Sequence, residues 1–145
     1  MSGRAVVAGL LGFAAVFAVA LWWFQTRAHY REVSGLAAIS VAGRMLPVAE
    51  YRGLDGNSPL KLRGCMRLDP AALDGLPPAP DAAPLGTPAW FDCFDPEAIA
   101  ADLAAGRARA VLAAADQPQD FDIILAYYPD GRAYLWRQLN AKFRD

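Results

Sequence analysis

Ligating and catalytic side chains are scarce in this chain. Its 145 residues include one histidine, His29, and two cysteines, Cys65 and Cys93. A zinc or copper site needs more ligands, and none of Met45, Met66 and His29 stands at ligand spacing to a cysteine. No C-x-x-C pair is present, which excludes a thioredoxin-like redox motif, and no C-x-x-C-H for haem attachment. The G-x-S-x-G, H-E-x-x-H and phosphate-loop signatures are missing as well, so no enzyme activity, metal or cofactor is expected. Nor is there an excess of charge. Fourteen Lys and Arg stand against fifteen Asp and Glu, a net charge of −1 that argues against a nucleic-acid binder. Lysine and glutamate are rare: twelve of the cations are Arg and twelve of the acids are Asp. With abundant alanine, that bias points to a GC-rich bacterial genome.

What the chain does have is one long apolar run. Ala5 to Phe24 carries no charge, amide or hydroxyl, and twenty helical residues span ~30 Å, the thickness of a bilayer's hydrocarbon core. Trp22, Trp23 and Tyr30 fall where an interfacial aromatic belt sits, and Ala8, Gly9 and Gly12 are small enough for close helix packing. A cleaved signal peptide is the rival, since Ala18-Val19-Ala20 fits the small-x-small rule and Arg4 supplies a positive flank. However, the run exceeds the usual apolar length of about 7–15 residues, and cleavage would leave Leu21-Trp22-Trp23-Phe24 as a hydrophobic new terminus. Residues 1–28 are therefore expected to be a retained transmembrane anchor in the lipid bilayer. Arg4 on one side and Arg27 and Arg31 on the other nearly balance. A lone anchor after a short tail, followed by an even pair of cysteines, favours a periplasmic domain on a bacterial inner membrane. His29 reads as an interfacial side chain beside Tyr30; a pH sensor or phosphoacceptor is the sharper alternative.

About 115 residues remain, enough for one soluble domain, 29–145, with one core. Ile39-Ser40-Val41 and Leu46-Pro47-Val48 flank Ala42-Gly43-Arg44 as a hairpin, with Pro47 confining the second strand to an edge. Residues 51–58 read as a turn-rich link. Residues 59–68 alternate as a half-buried strand, with Leu60, Leu62, Met66 and Leu68 on one face and Lys61, Arg63, Cys65 and Arg67 on the other. Residues 69–88 hold six of the eleven prolines and read as a semi-rigid surface loop. Residues 89–95 (AWFDCFD) are strand-like. Asp95-Pro96-Glu97 opens a helix that buries Ile99 and Leu103 and stops at Gly106. Residues 109–115 read as a strand, with an alanine-rich extension of the helix as the alternative, and 120–128 with 132–139 form a hairpin around Pro129-Asp130-Gly131. The expected fold is α+β: a transmembrane helix, then a mostly antiparallel sheet of about six strands with one short helix.

Few residues in this domain invite chemistry. A structural disulfide between Cys65 and Cys93 is the first expectation; a reactive Cys65 thiolate beside Lys61, Arg63 and Arg67 is the alternative. The carboxylate pairs Asp92/Asp95 and Asp120/Asp122 read as a helix cap and as residues opening a strand. An acidic stretch runs from Asp69 to Asp102, and a basic tail carries Arg132, Arg137, Lys142 and Arg144. Tyr128, Arg132, Tyr134, Trp136 and Arg137 concentrate the residue types that protein interfaces prefer, although a core role for the aromatics competes.

Three segments carry a resemblance: LKLRGC at 60–65, WFDCFD at 90–95 and YPDGRAYLWRQLN at 128–140. Together they resemble a small uncharacterised family of single-pass inner-membrane proteins from Rhodobacter-like alphaproteobacteria. No activity is implied, and the histidine-kinase label some members carry has no support in these residues. The expected function is that of a non-enzymatic accessory or assembly protein that binds a larger inner-membrane or periplasmic complex. A thiol-redox or metal-delivery protein using Cys65 and Cys93 is the alternative.

Overall fold

The computed structural model describes residues 2–143. Met1 of the expected anchor, and Arg144 of the expected basic tail, lie outside the described residues. The chain divides into two units, residues 1–30 and 31–145.

The first unit is helix α1, Gly3–Trp23, which continues through a wider π-type turn to Ala28. The helical stretch Gly3–Ala28, 26 residues, contains an 18-residue window of mean hydropathy 2.4, and none of α1 is buried within the protein. Length and composition make it one helix able to cross a membrane. Trp22 and Trp23 are exposed at its end, and the Thr26 hydroxyl donates to the Trp22 carbonyl at 2.7 Å. Tyr30 does not extend this helix but opens the first strand.

Among the described residues, the second unit is an α+β domain of eight strands rather than about six. They are β1 (Tyr30–Ser34), β2 (Ala38–Val41), β3 (Arg44–Pro47), β4 (Ala49–Gly56), β5 (Arg63–Arg67), β6 (Arg109–Ala114), β7 (Phe121–Tyr127) and β8 (Arg132–Leu139), with α2 at Pro96–Ala105. Six form a sheet in the order β1-β4-β5-β8-β7-β6, and β2 and β3 make a separate hairpin. That hairpin pairs Ala38 with Pro47 through Val41 with Arg44, and Pro47 has no second neighbour, as its missing donor requires.

Helix α2 follows its punctuation. The Asp95 carboxylate accepts from the Ala98 amide at 3.1 Å, Pro96 fills the first turn, and Gly106 ends the helix at φ 76°. The β7–β8 hairpin likewise matches its turn signal, with Gly131 at φ 94°.

Three segments differ from expectation, each for a packing reason. Residues 51–58 are mostly strand, because the ring of buried Tyr51 lies across Gly53 and Gly64. A Cβ at Gly53 would stand 2.8 Å from that ring, so this glycine serves close approach rather than a turn. Residues 59–68 give a shorter strand: Pro59–Lys61 form a 3₁₀ turn, and β5 lies between β4 and β8, buried on both faces. Residues 89–95 are irregular, and their large rings cover a sheet face instead of pairing with it.

The two sheet faces are thus both used. One carries Met66, Leu125, Leu135 and Val111 beneath Ile39, Val41 and Leu46 of the hairpin, with Leu73 and Leu76 beside them. The other carries Arg63, Cys65, Tyr134, Trp136 and Ile124. Phe94 meets Trp136 edge-on at 6.1 Å and Tyr134 at 6.0 Å on this side.

The proline-rich segment is a strap rather than a free loop. The Leu112 amide donates to the Pro77 carbonyl at 2.9 Å, and the Ala79 amide to the Ala110 carbonyl at 3.0 Å, so the strap runs beside β6. Further on, Ala83 donates to the Gln138 side chain at 2.9 Å, which itself donates to the Asp81 carbonyl at 3.1 Å. Prolines suit this position, since they need no donor of their own.

Candidate functional site

Cys65 on β5 is bridged to Cys93, with Cα atoms 6.3 Å apart. Cys65 sits in the sheet; Cys93 lies in the irregular 89–95 segment, so the two are not paired across a ladder. Strand register decides what surrounds the bridge. Arg52 on β4 and Tyr134 on β8 lie opposite Cys65, and two residues along, Arg67 lies opposite Arg132. Side chains two apart on a strand share a face. The bridge and these neighbours line a hollow of about 210 Å³. The expected staple and two of the expected contact residues, Arg132 and Tyr134, therefore meet in one place.

Each of the three arginines has a carboxylate partner. Arg52 Nη1 stands 2.7 Å from Asp92, Arg67 Nε 3.3 Å from Glu50, and Arg132 Nε 2.8 Å from Asp130. The hydrogen bond from Arg52 holds the Asp92 carboxyl below the usual carboxylate range. Backbone and side-chain bonds from Arg132 do the same to Asp130, and Asp130 in turn raises Arg132. Two of the guanidiniums also lie over rings: Arg52 is 5.3 Å from the Phe91 centroid and Arg132 is 4.2 Å from that of Tyr128.

The cations beside Cys65 are not the expected trio. Arg67 is there, but Arg63 is 5 % exposed and turns away. It donates to the carbonyls of Leu60 at 2.6 Å, Leu62 at 2.7 Å, Leu85 at 3.3 Å and Gly86 at 2.8 Å, fixing the strap. Lys61 donates to Asn57. Arg52 and Arg132 take their places from neighbouring strands.

Two of the five expected contact residues, Trp136 and Tyr128, are buried, and Arg137 is half-buried. Trp136 is fully buried, and its indole N–H donates to the Gln138 side chain at 2.8 Å. Tyr128 is buried and donates to Asp102 at 2.6 Å, while Arg107 donates to the other oxygen at 2.7 Å. Those bonds lower the Asp102 pKa; burial and the Asp102 carboxylate raise that of Tyr128. Arg137 is half-buried and donates to the carbonyls of Gln117 and Pro59. The reason is strand alternation on a sheet covered on both faces: large side chains pointing either way meet core. Arg63, Gln138 and Asp102 carry structural roles that spacing alone did not reveal, because one set of partners for each (Leu85 and Gly86, Asp81 and Ala83, Tyr128) is more than 20 residues away.

The carboxylate pairs also separate. Asp95 caps α2, Asp122 accepts from the Asp116 amide, and Asp120 pairs with Lys142. Elsewhere, a groove of about 930 Å³ lies between the strap and α2, lined largely by Leu, Pro and Ala, with Asp74, Arg109 and Tyr127 among its walls.

A helix long and apolar enough to cross a membrane, followed by a disulfide-bridged, mostly antiparallel α+β domain, defines the class of protein. The chain belongs to a family of unknown function (DUF6446), which matches residues 35–145. The match covers β2 to the C-terminus and leaves out the apolar helix. No curated protein and no solved structure matches the chain.

Proposed function

We propose that this is a membrane-anchored, non-enzymatic accessory or assembly protein that docks onto a larger inner-membrane or periplasmic complex. The observation that carries this is the arginine- and tyrosine-rimmed hollow over the bridge, built on three adjacent strands and braced from beneath by the 65–93 disulfide. Arg and Tyr are favoured at protein interfaces, and a rigid support lowers the entropy lost on docking. The bridge supports a periplasmic setting, since disulfides persist in oxidising compartments. An inner-membrane location agrees with the apolar helix and with the bacterial composition.

The test is capture of a tagged full-length copy from native membranes in mild detergent, with stoichiometric companions identified by mass spectrometry. A reproducible companion set is expected; recovery of the bare protein would refute the accessory role. A thiol-redox role is the second reading, favoured by the bridge lining an open hollow in which Cys93 is only half-buried. Thiol trapping separates the two. A bridge that stays oxidised under mild reductant supports the structural role, and a mixed population supports exchange chemistry.

A further inference from the structure

The hollow over the bridge gathers three arginines on three adjacent strands. Arg67 and Arg132 are directly opposite across β5 and β8, and Arg52 stands on the next strand. Like charges directly opposite weaken a strand pair. Their three carboxylate partners come from outside the strand register: Glu50 at the β4 irregularity with φ 54°, Asp92 in the irregular segment, and Asp130 in the hairpin turn. Two of those acids are also the looser members, whereas Asp130 is held as well by the Arg132 amide at 3.1 Å. The side chains of Glu50 and Asp92 are 75 % and 77 % exposed, against 52 % and 44 % for Arg67 and Arg52.

The arginines, by contrast, are pre-oriented. Arg52 and Arg132 rest on Phe91 and Tyr128, two buried rings, which fixes the guanidinium planes before any ligand arrives. Each ion pair uses one guanidinium nitrogen, whereas the arginine fork suits two-point contact with a carboxylate. Exposed ion pairs contribute little and exchange readily for another carboxylate.

We propose that this hollow is a receptor for an acidic segment of a partner protein, whose Asp and Glu side chains replace Glu50, Asp92 and Asp130 on Arg67, Arg52 and Arg132. Each guanidinium has its own carboxylate, although Arg67 Nη1 also donates to the Asp130 carbonyl at 3.3 Å, and three such pairs suit several carboxylates spaced along a chain better than a single convergent anion. The proposal rests on the accessory-protein reading and specifies the chemistry of the partner's surface.

The test uses the full-length protein in native membranes, with the photo-cross-linker p-benzoylphenylalanine in place of Ala49. Ala49 is exposed and opposite Arg67; exposed Ser40 on β2 is the control position. Irradiation followed by mapping of the cross-linked peptide is expected to identify an Asp- and Glu-rich protein segment at position 49 and not at position 40. The yield is expected to fall as salt is raised, and to fall about a hundredfold in Arg67→Gln/Arg132→Gln, the equivalent of two charge-assisted hydrogen bonds lost. The double variant removes a like-charge pair, so its melting temperature is expected to be unchanged; if it fails to fold, Arg52→Gln carries the same comparison. Cross-linking to lipid, to a neutral or basic segment, or equally at Ser40 would overturn the proposal. A companion set that co-purifies without any cross-link at position 49 would overturn this docking surface and leave the accessory role standing. Recovery of the bare protein would remove both.

Discussion

Replacing Cys93 by Ser removes the bridge while leaving the buried Cys65 side chain in place. The two cysteines are 28 residues apart, and closing a loop of that length removes ~3.6 kcal/mol of unfolded-chain entropy on the chain-entropy model. For a domain of about 115 residues, each kcal/mol moves the melting temperature by about 4 °C, so a fall of about 15 °C is expected. The strap gives the perturbation a spatial signature as well. Its 81–86 portion stays tied to Gln138 and Arg63, whereas 88–95 loses the bond that holds it to β5. Protease should therefore cut the variant first within 88–95. The assay is thermal unfolding of the full-length protein in mild detergent, followed by fluorescence of buried Trp136, with limited proteolysis and mass mapping alongside. Reductant added to the wild type should reproduce both effects. A melting temperature within about 3 °C of wild type, or first cleavage elsewhere, would refute a structural staple.

Other variants probe the supports individually. Arg63→Met leaves four carbonyls without their shared donor, and a loss of ~2–4 kcal/mol in denaturant unfolding is expected, with the strap released near Leu85 and Gly86. Gly53→Ala sets a methyl against the stiff Tyr51 ring and is expected to destabilise the domain by ~1–3 kcal/mol; an unchanged denaturation midpoint would show that the ring can move. Tyr128→Phe removes the hydroxyl that depresses the Asp102 pKa. A carboxyl with a depressed folded pKa contributes stability above its unfolded value, and that contribution is lost as pH falls through the folded value. The gap between wild type and Tyr128→Phe should thus be full at pH 7 and narrow below about pH 4. A gap that stays constant down to pH 2 would assign the effect to packing instead.

Elements with self-contained signals were legible in the sequence. Helix α2 carries its cap, its N1 proline and its stop glycine within a dozen residues, and β7–β8 carries alternation on both sides of Pro129-Asp130-Gly131. The 65–93 pairing was legible as well, because only two cysteines exist. Segments whose conformation is decided by a distant partner were not. Gly53 looks like turn chemistry until the Tyr51 ring is laid across it. Arg63 looks like a solvated strand residue until the strap supplies the carbonyls of Leu85 and Gly86 beside those of Leu60 and Leu62. AWFDCFD has strand composition, yet its rings are needed as cover over Trp136 and Tyr134. The site was half legible for the same reason: Cys65, Arg132 and Tyr134 were singled out, whereas Arg52 enters only through the β4–β5 register. Trp136 and Tyr128 left the contact surface because the sheet is covered on both faces.

The strap along β6 has a consequence for how copies of this protein coexist. An uncovered outer strand offers a row of amides and carbonyls on which another chain can build. Here Pro77 and Ala79 already occupy positions along β6, and a proline-rich outer border has few amides to offer the next strand. At the opposite border, β1 is five residues long with exposed Arg31 and Glu32, a short and charged strip. Confinement to a membrane would raise local concentration and favour sheet-to-sheet polymerisation of any domain with an open border. The six-stranded sheet resists that outcome, and its borders also give up strand addition as a mode of recognition.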